Sequence, residues 1–148
     1  MTTISEAYEN VKRLQLRKQV PIILEQNKEY IADLNRYEQL YKRSIDSEST
    51  PLRLYSSAGY SFEKEKKNPS PGYGRPDLFL TGAFYKGFKV TIQPQFYLIT
   101  STDSKTKKLI AKYGENIFGL SQFSKDQLVE EKLRKGLANH IFAVTGLG

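Results

Sequence analysis

The sequence predicts an α+β domain with helices at both ends and an antiparallel sheet between them. Three observations lead to this fold class. Apolar residues recur at helical spacing near both ends of the chain, they alternate with polar residues in two central stretches, and no strand–helix–strand repetition appears. The 148 residues suit one domain, and a hydrophobic fraction of 39% is enough for its core. We therefore expect a single domain over residues 1–148.

The N-terminal segment is predicted to be helical. Apolar residues at helical spacing indicate a first helix over residues 4–19. Pro21 interrupts this pattern, because a proline inside a helix loses a hydrogen bond and clashes with the preceding turn. It fits better in the first turn of a second helix over about residues 22–36. The two segments form either one kinked helix or a helix pair.

Two β-hairpins are predicted in the centre of the chain. The turn-rich residues 46–51 precede an alternating stretch at 52–55, which indicates a first hairpin. Phe88, Val90 and Ile92 alternate with polar residues up to a turn at Pro94, and the alternation resumes over residues 96–101. That pattern predicts a second hairpin, and the two hairpins together would form the sheet.

Helices are predicted again after the second hairpin. Thr102 or Asp103 can cap a helix that runs to Tyr113 and ends at Gly114. A last helix opens near residues 124–126, carries an apolar stripe, and ends at Gly146. We expect this C-terminal helix to pack on the sheet.

The most apolar stretch of the chain covers residues 77–85. Asp77 can cap a short helix there. Its large apolar side chains would then serve either the core or an interface with another protein. These candidate residues are Leu78, Phe79, Leu80, Phe84 and Tyr85.

The basic excess of the chain lies in one region. Residues 51–112 hold eleven Lys and Arg against four Asp and Glu, which accounts for the whole net charge of +7. Within it, residues 56–68 are polar and Lys-rich and form either a short helix or a mobile loop. Residues 68–76 are rich in Pro and Gly, and they either join two parts of the domain or reach out, so that 56–76 would be a flexible arm. The arm is either a solvated loop or a contact for DNA or a partner protein. The candidate contact residues are Lys64, Lys66, Lys67 and Arg75.

The sequence carries no pattern that predicts catalysis, a metal site or a cofactor. It has one histidine, no cysteine and scattered carboxylates, whereas metal sites gather several such ligands. No serine lies in a nucleophile-elbow motif, and Gly72 and Gly74 lack the Lys-Ser/Thr of a phosphate-binding loop. No apolar run approaches the roughly 20 residues of a membrane-spanning helix. We therefore expect a protein made in a cytoplasm, without a membrane partner, a cofactor or enzyme activity.

Parts of the sequence resemble the head–tail connector and tail-completion (neck) proteins of tailed bacteriophages, in the version of phages with Bacteroides-type hosts. The clearest part is residues 75–88, with Leu80-Thr81-Gly82 before the aromatic pair Phe84 and Tyr85. The other similar parts are residues 27–35, 39–41, 101–105 and 112–120. The resemblance spans most of residues 22–145 and is weakest over 53–67.

The resemblance implies an α+β virion protein of the neck or tail, made in the bacterial host cytoplasm. It implies assembly into a ring through sheet and helix contacts between copies, around the DNA channel. The implied partners are other copies of the chain and neighbouring portal, adaptor or tail proteins, with non-specific contact to channel DNA. It implies no cofactor and no catalytic residues.

Two other functions stay open at the level of sequence. A basic nucleic-acid-binding protein would use the Lys-rich region 56–112, and its affinity would fall steeply with salt. A small enzyme of unrecognised type is disfavoured by the scarcity of acid–base residues.

Overall fold

A computed structural model describes residues 3–146, leaving aside the side chains of Asn10, Val11, Arg13 and Leu14. The α-helices are α1 (Ile4–Leu14), α2 (Leu16–Gln26), α3 (Lys28–Asp33), α4 (Ala58–Lys67), α5 (Ala83–Lys86), α6 (Thr106–Tyr113), α7 (Gln122–Leu128) and α8 (Arg134–Thr145). The strands are β1 (Phe88–Ile92) and β2 (Tyr97–Ser101). Two π-helical segments, Leu34–Tyr41 and Val129–Leu133, continue α3 and α7, and a 3₁₀ turn covers Glu115–Ile117. The predicted α+β class is confirmed.

The N-terminal helices break at a different residue from the one predicted. Gln15 has a left-handed φ of 43° and separates α1 from α2. Pro21 lies inside α2 instead of opening it. The helix therefore runs through the proline and lacks one backbone hydrogen bond there.

The prediction of a first hairpin was wrong. Residues 45 and 51 form only an isolated bridge, and the sheet of the described residues has two strands. Pro51 has no N–H for a ladder, and Ser44 has a left-handed φ of 53°, so neither side extends into a strand. The turn is held instead by Asp46, whose carboxylate accepts hydrogen bonds from the N–H groups of Glu48 and Thr50, both at 2.9 Å.

The second predicted hairpin is confirmed. β1 and β2 pair antiparallel, with Phe88 opposite Ser101 and Val90 opposite Ile99. Phe88, Val90 and Ile99 are buried, and β1 packs against α3 and α2. The hairpin therefore turns one face to the core, as its period of two residues predicts.

The C-terminal helix was predicted to pack on the sheet, but it packs mainly on other helices. α8 contacts α1 and α2, while α2 and α3 contact β1. Gly136 makes the α2–α8 contact close, because a Cβ atom there would lie 2.8 Å from Cδ1 of Ile23. Helices α3 and α2 thus cover β1, and α8 lies against α2.

Two buried amides hold the loop after α6 to the core. Asn35 Nδ2 donates to the Ile117 carbonyl at 2.9 Å, and its Oδ1 accepts from the Gly119 N–H at 2.9 Å. Gln39 Nε2 donates to the Gly119 carbonyl at 2.9 Å, and its Oε1 accepts from the Ser121 N–H at 2.8 Å. These four bonds satisfy backbone groups that no strand or helix pairs.

Of the two alternatives for residues 56–68, the structure has the short helix, and the segment 56–76 lies against the domain and does not extend as an arm. It forms α4 and a turn that pack against the rest of the domain. Asn68 Nδ2 donates to the Tyr41 carbonyl at 2.9 Å, and Arg75 Nη2 donates to the Arg43 carbonyl at 2.7 Å. The polar side chains that suggested a solvated arm therefore bind backbone carbonyls of the domain.

Candidate functional site

A groove lies between α4, α6 and residues 78–84, with a cavity volume of about 330 Å³. Its floor is apolar and its rim carries tyrosines and charged groups. The floor is formed by Leu78, Phe79, Leu80, Ala83, Phe84 and Leu109, and the rim includes Tyr55, Tyr60, Tyr113, Lys64, Asp103, Lys105 and Lys112. Its volume is at the lower end for a small-ligand site.

The aromatic residues of the floor are fixed by the core beneath them. Phe79 packs edge-on against Tyr41 and Tyr85, with ring centroids 5.6 and 5.1 Å apart. Phe84 packs against Phe88 at 5.2 Å in the same way. The groove is therefore preformed, because its floor is one side of the aromatic core.

A buried ion pair anchors one wall of the groove. Lys64 Nζ lies 2.7 Å from Asp77 Oδ1, and the two side chains expose 11% and 2% of their surface. Lys64 also donates to the Phe79 carbonyl. Asp77 accepts from Asn68 Nδ2 at 3.0 Å and from the Phe79 N–H at 2.9 Å. The pair ties α4 to the segment that forms the floor.

The backbone of the floor is strained at one residue. Leu78 has a φ of 58°, a left-handed conformation that costs a residue with a side chain roughly 1–2 kcal/mol. Asp77 on one side and Phe79 on the other are held by the bonds described above. These contacts hold the side chain of Leu78 half-buried at the groove instead of letting the turn relax.

Burial keeps two tyrosines of the groove, Tyr55 and Tyr113, protonated over the physiological range. Burial, and then the charge of Asp77, raise the pKa of Tyr55. Burial is also the main cause that raises the pKa of Tyr113, with a smaller contribution from Tyr60. These phenols therefore act as neutral hydrogen-bonding groups, and lysines supply the positive charge of the rim.

The structure divides the predicted apolar residues between the core and the groove. Phe84 and Tyr85 are buried, and the Tyr85 hydroxyl donates to the Asp77 carbonyl. Leu78 and Phe79 are half-buried. Leu80 is 62% exposed at the lip of the groove. The short helix is α5, which begins at Ala83, so Asp77 caps the turn before it and not the helix.

The predicted basic contacts are mostly engaged within the chain. Lys64 is paired with Asp77, and Arg75 is half-buried against Arg43. Lys66 lies 3.6 Å from Glu63 and over the ring of Phe62. Among the four, Lys67 is the exposed lysine for which the described residues show no such pair.

A basic helix borders the groove at the end of the Lys-rich region 56–112, and none of its lysines was among the predicted contact residues. Lys107, Lys108 and Lys112 lie on α6 and Lys105 directly precedes it; no acidic residue lies between them, and all four are exposed. Lys105 and Lys112 line the groove, whereas Lys107 and Lys108 do not. The run of lysines in residues 105–112 is the sequence signal for this basic border.

A second apolar surface lies on other elements. Pro21 and Ile22 of α2 lie beside Ile92 and Pro94 of the hairpin, and Ile22 is exposed. Phe96, in the same hairpin loop, is 64% exposed. This hairpin surface shares no lining residue with the groove.

Residues 3–146 contain neither a metal-binding cluster nor a membrane-spanning helix. No three His, Asp or Glu side chains gather there as a metal site requires. No helix in that part of the chain is both long and apolar enough to cross a membrane.

Comparison with known proteins does not assign the chain to a family. No family model, curated protein or solved structure matches the chain.

Proposed function

We propose that the chain is a non-enzymatic structural subunit of a tailed-phage neck or tail, assembling in a ring at or near the head–tail junction. The observation that carries this proposal is the presence of two separate apolar surfaces, the groove and the hairpin surface. A subunit that repeats head-to-tail around a ring needs one surface for each neighbour, and the two surfaces must differ.

The exposed side chains support the same proposal. Leu80 at the groove and Phe96 in the loop between β1 and β2 are large, apolar and more than half exposed. Clustered exposed apolar side chains on a small chain mark interaction sites, since leaving them in water is unfavourable. The outer edges of β1 and β2 also stay unpaired among the described residues, so a neighbouring copy can extend the sheet there.

The sequence resemblance supports a phage neck or tail ring as the kind of assembly. The residues that carry it, above all 75–88, form the floor of the groove, α5 and the start of β1. These residues thus coincide with a surface that a ring subunit would use. Virion location, ring formation and the partner proteins are all part of the proposal.

The test is to locate the chain in particles of the phage that encodes it. Mass spectrometry of purified virions should detect it, and cryo-electron microscopy of the neck and tail should show a ring with this fold. Its absence from intact virions would overturn the proposal.

A pair of variants tests the loop between β1 and β2, which borders the hairpin surface, in the same particles. Phe96→Glu should block incorporation into virions, because it puts a charge in an apolar contact. Gln95→Glu adds the same charge at the neighbouring exposed residue and should assemble normally. Equal incorporation of both variants would show that Phe96 is not at an interface.

Nucleic-acid binding is a second candidate function, favoured by the four exposed lysines of residues 105–112. Lys107→Glu with Lys108→Glu should then weaken binding to duplex DNA. The slope of log affinity against log salt should also become shallower, by about 0.9 for each phosphate that the variant no longer neutralises. Lys66→Glu with Lys67→Glu changes the same number of charges on α4 and serves as the matched control. Equal effects of the two double variants would assign the binding to net charge and not to α6.

A further inference from the structure

We infer that the groove binds an acidic segment of a partner protein that inserts one or two large apolar side chains. This inference deepens the proposed function by naming the chemistry of a partner, and it rests on that function only in taking the partner to be a protein. Three features of the groove support it: the apolar floor, the charge of the rim and the orientation of the rim tyrosines.

The floor fits apolar side chains. Leu80 and Leu109 lie beside the rings of Phe79 and Phe84, and the cavity of about 330 Å³ opens to solvent along one side. That volume accommodates one or two large side chains and is too small for a folded element. A partner that buries an apolar side chain there would also cover Leu80, which solvent now reaches.

The charge of the rim selects an acidic partner. Lys105 and Lys112 lie on the α6 side of the groove, and within the described residues no carboxylate comes within 4.0 Å of either ammonium group. Lys64 is already neutralised by Asp77. Asp103 is the acidic group of the rim, and its carboxylate accepts the Lys105 N–H at 3.1 Å. Lys112 also lies over the ring of Tyr113, at 5.3 Å from its centroid, which leaves its charge in place. Against the single negative charge of Asp103, the two lysines leave the rim net positive, which favours carboxylates of a partner.

The rim tyrosines favour a peptide over a nucleic acid. Tyr55 and Tyr60 pack edge-on against each other, with centroids 4.9 Å apart and planes at 84°. They therefore do not form a pair of parallel faces between which a base can stack. The aliphatic part of the floor suits leucine or phenylalanine side chains, and the hydroxyl groups of the rim tyrosines can hydrogen-bond a peptide backbone.

The test measures fluorescence anisotropy of two short labelled peptides with the full chain. One contains Asp and Glu around two leucines, and the other has Lys in place of every acidic residue. We expect saturable binding of the acidic peptide alone. Replacing its leucines with alanine should weaken binding at least about tenfold, since both anchors leave the cavity.

Matched variants assign that binding to the groove. Lys105→Glu with Lys112→Glu should weaken binding of the acidic peptide at least about tenfold. Lys107→Glu with Lys108→Glu makes the same charge change on the same helix outside the groove, and should change binding less than about threefold at physiological salt, because those charges are screened. All four lysines are exposed, so both variants should fold, and circular dichroism checks this.

Each other outcome counts against the inference. No binding of the acidic peptide, equal binding of the Lys peptide, or equal losses in the two double variants would overturn it. Oligothymidine that displaces the peptide with the same sensitivity to the Lys105 and Lys112 changes would assign the groove to nucleic acid. Virions that contain the chain while the groove binds no acidic peptide would leave the proposed function standing and remove this inference alone.

Discussion

Replacing Lys64 with methionine removes the positive charge next to Asp77 in the interior. The ammonium nitrogen lies 2.7 Å from the carboxylate, and the two side chains expose 11% and 2% of their surface. Methionine keeps much of the aliphatic stem, so this substitution changes charge and hydrogen bonding more than packing. Its effect on stability therefore reports on the ion pair.

The expected cost follows from the groups left behind. Removing one partner of a buried pair costs about 3–5 kcal/mol, because the remaining charge is uncompensated. Asp77 keeps hydrogen bonds from Asn68 at 3.0 Å and from the Phe79 N–H at 2.9 Å. We therefore expect a loss of about 3 kcal/mol for Lys64→Met, at the lower end of that range. The double variant Lys64→Met with Asp77→Asn should lose less, because it leaves no buried charge.

Urea unfolding followed by circular dichroism measures this loss as a lower midpoint at an unchanged slope. Lys66→Met is the matched control on the same helix. It breaks a pair with Glu63 at 3.6 Å whose side chains are 60% and 65% exposed, which is worth at most about 1 kcal/mol. If Lys64→Met costs no more than Lys66→Met, the burial and the pairing of Lys64 are both refuted.

Three further predictions concern the core. Gln39→Ala should cost about 2–4 kcal/mol in urea unfolding, because it leaves two buried backbone groups of the 117–121 segment unpaired; a loss under about 0.5 kcal/mol would contradict this. Gly136→Ala should lower the melting temperature, since the new Cβ would meet Ile23 at 2.8 Å, and Ile23→Ala should remove the effect in the double variant. Burial raises the pKa of Tyr85, so its neutral phenol contributes fully to the free energy of unfolding below about pH 10. Above that pH the contribution falls by up to about 1.4 kcal/mol per pH unit, because the unfolded chain releases the proton more readily than the folded one. The free energy of unfolding between about pH 8 and 11 should therefore decline less steeply in Tyr85→Phe, and parallel curves would contradict it.

Local patterns predicted the elements that local interactions determine. The hairpin at 88–101 follows from alternation on both sides of a turn, and Gly114 and Gly146 end their helices in the conformations that glycine favours. The first hairpin failed for an equally local reason, the proline at its first bridge. The predicted position of α8 was wrong for a non-local reason, since only the packed structure reveals the close approach of Gly136 to Ile23.

The floor of the groove was predicted better than its rim. Residues 77–85 were identified by composition, yet composition cannot separate Phe84, which faces the core, from Leu80, which faces solvent. The bonds of Asn35 and Gln39 to the 117–121 segment join residues that lie 80 to 84 positions apart in the chain. No sequence pattern signals such pairs, because their register is set by the packing of the whole domain.

Counting charges in the sequence does not show which lysines are available to bind a partner. The sequence assigns the excess of +7 to residues 51–112 but does not separate neutralised lysines from free ones. In the structure Lys64 is used to hold the floor of the groove, whereas Lys105 and Lys112 remain at the rim. One buried lysine thus shapes the groove and two exposed ones give it a charge. The variants of Lys64 should therefore change stability, and those of Lys105 and Lys112 should change binding at constant stability.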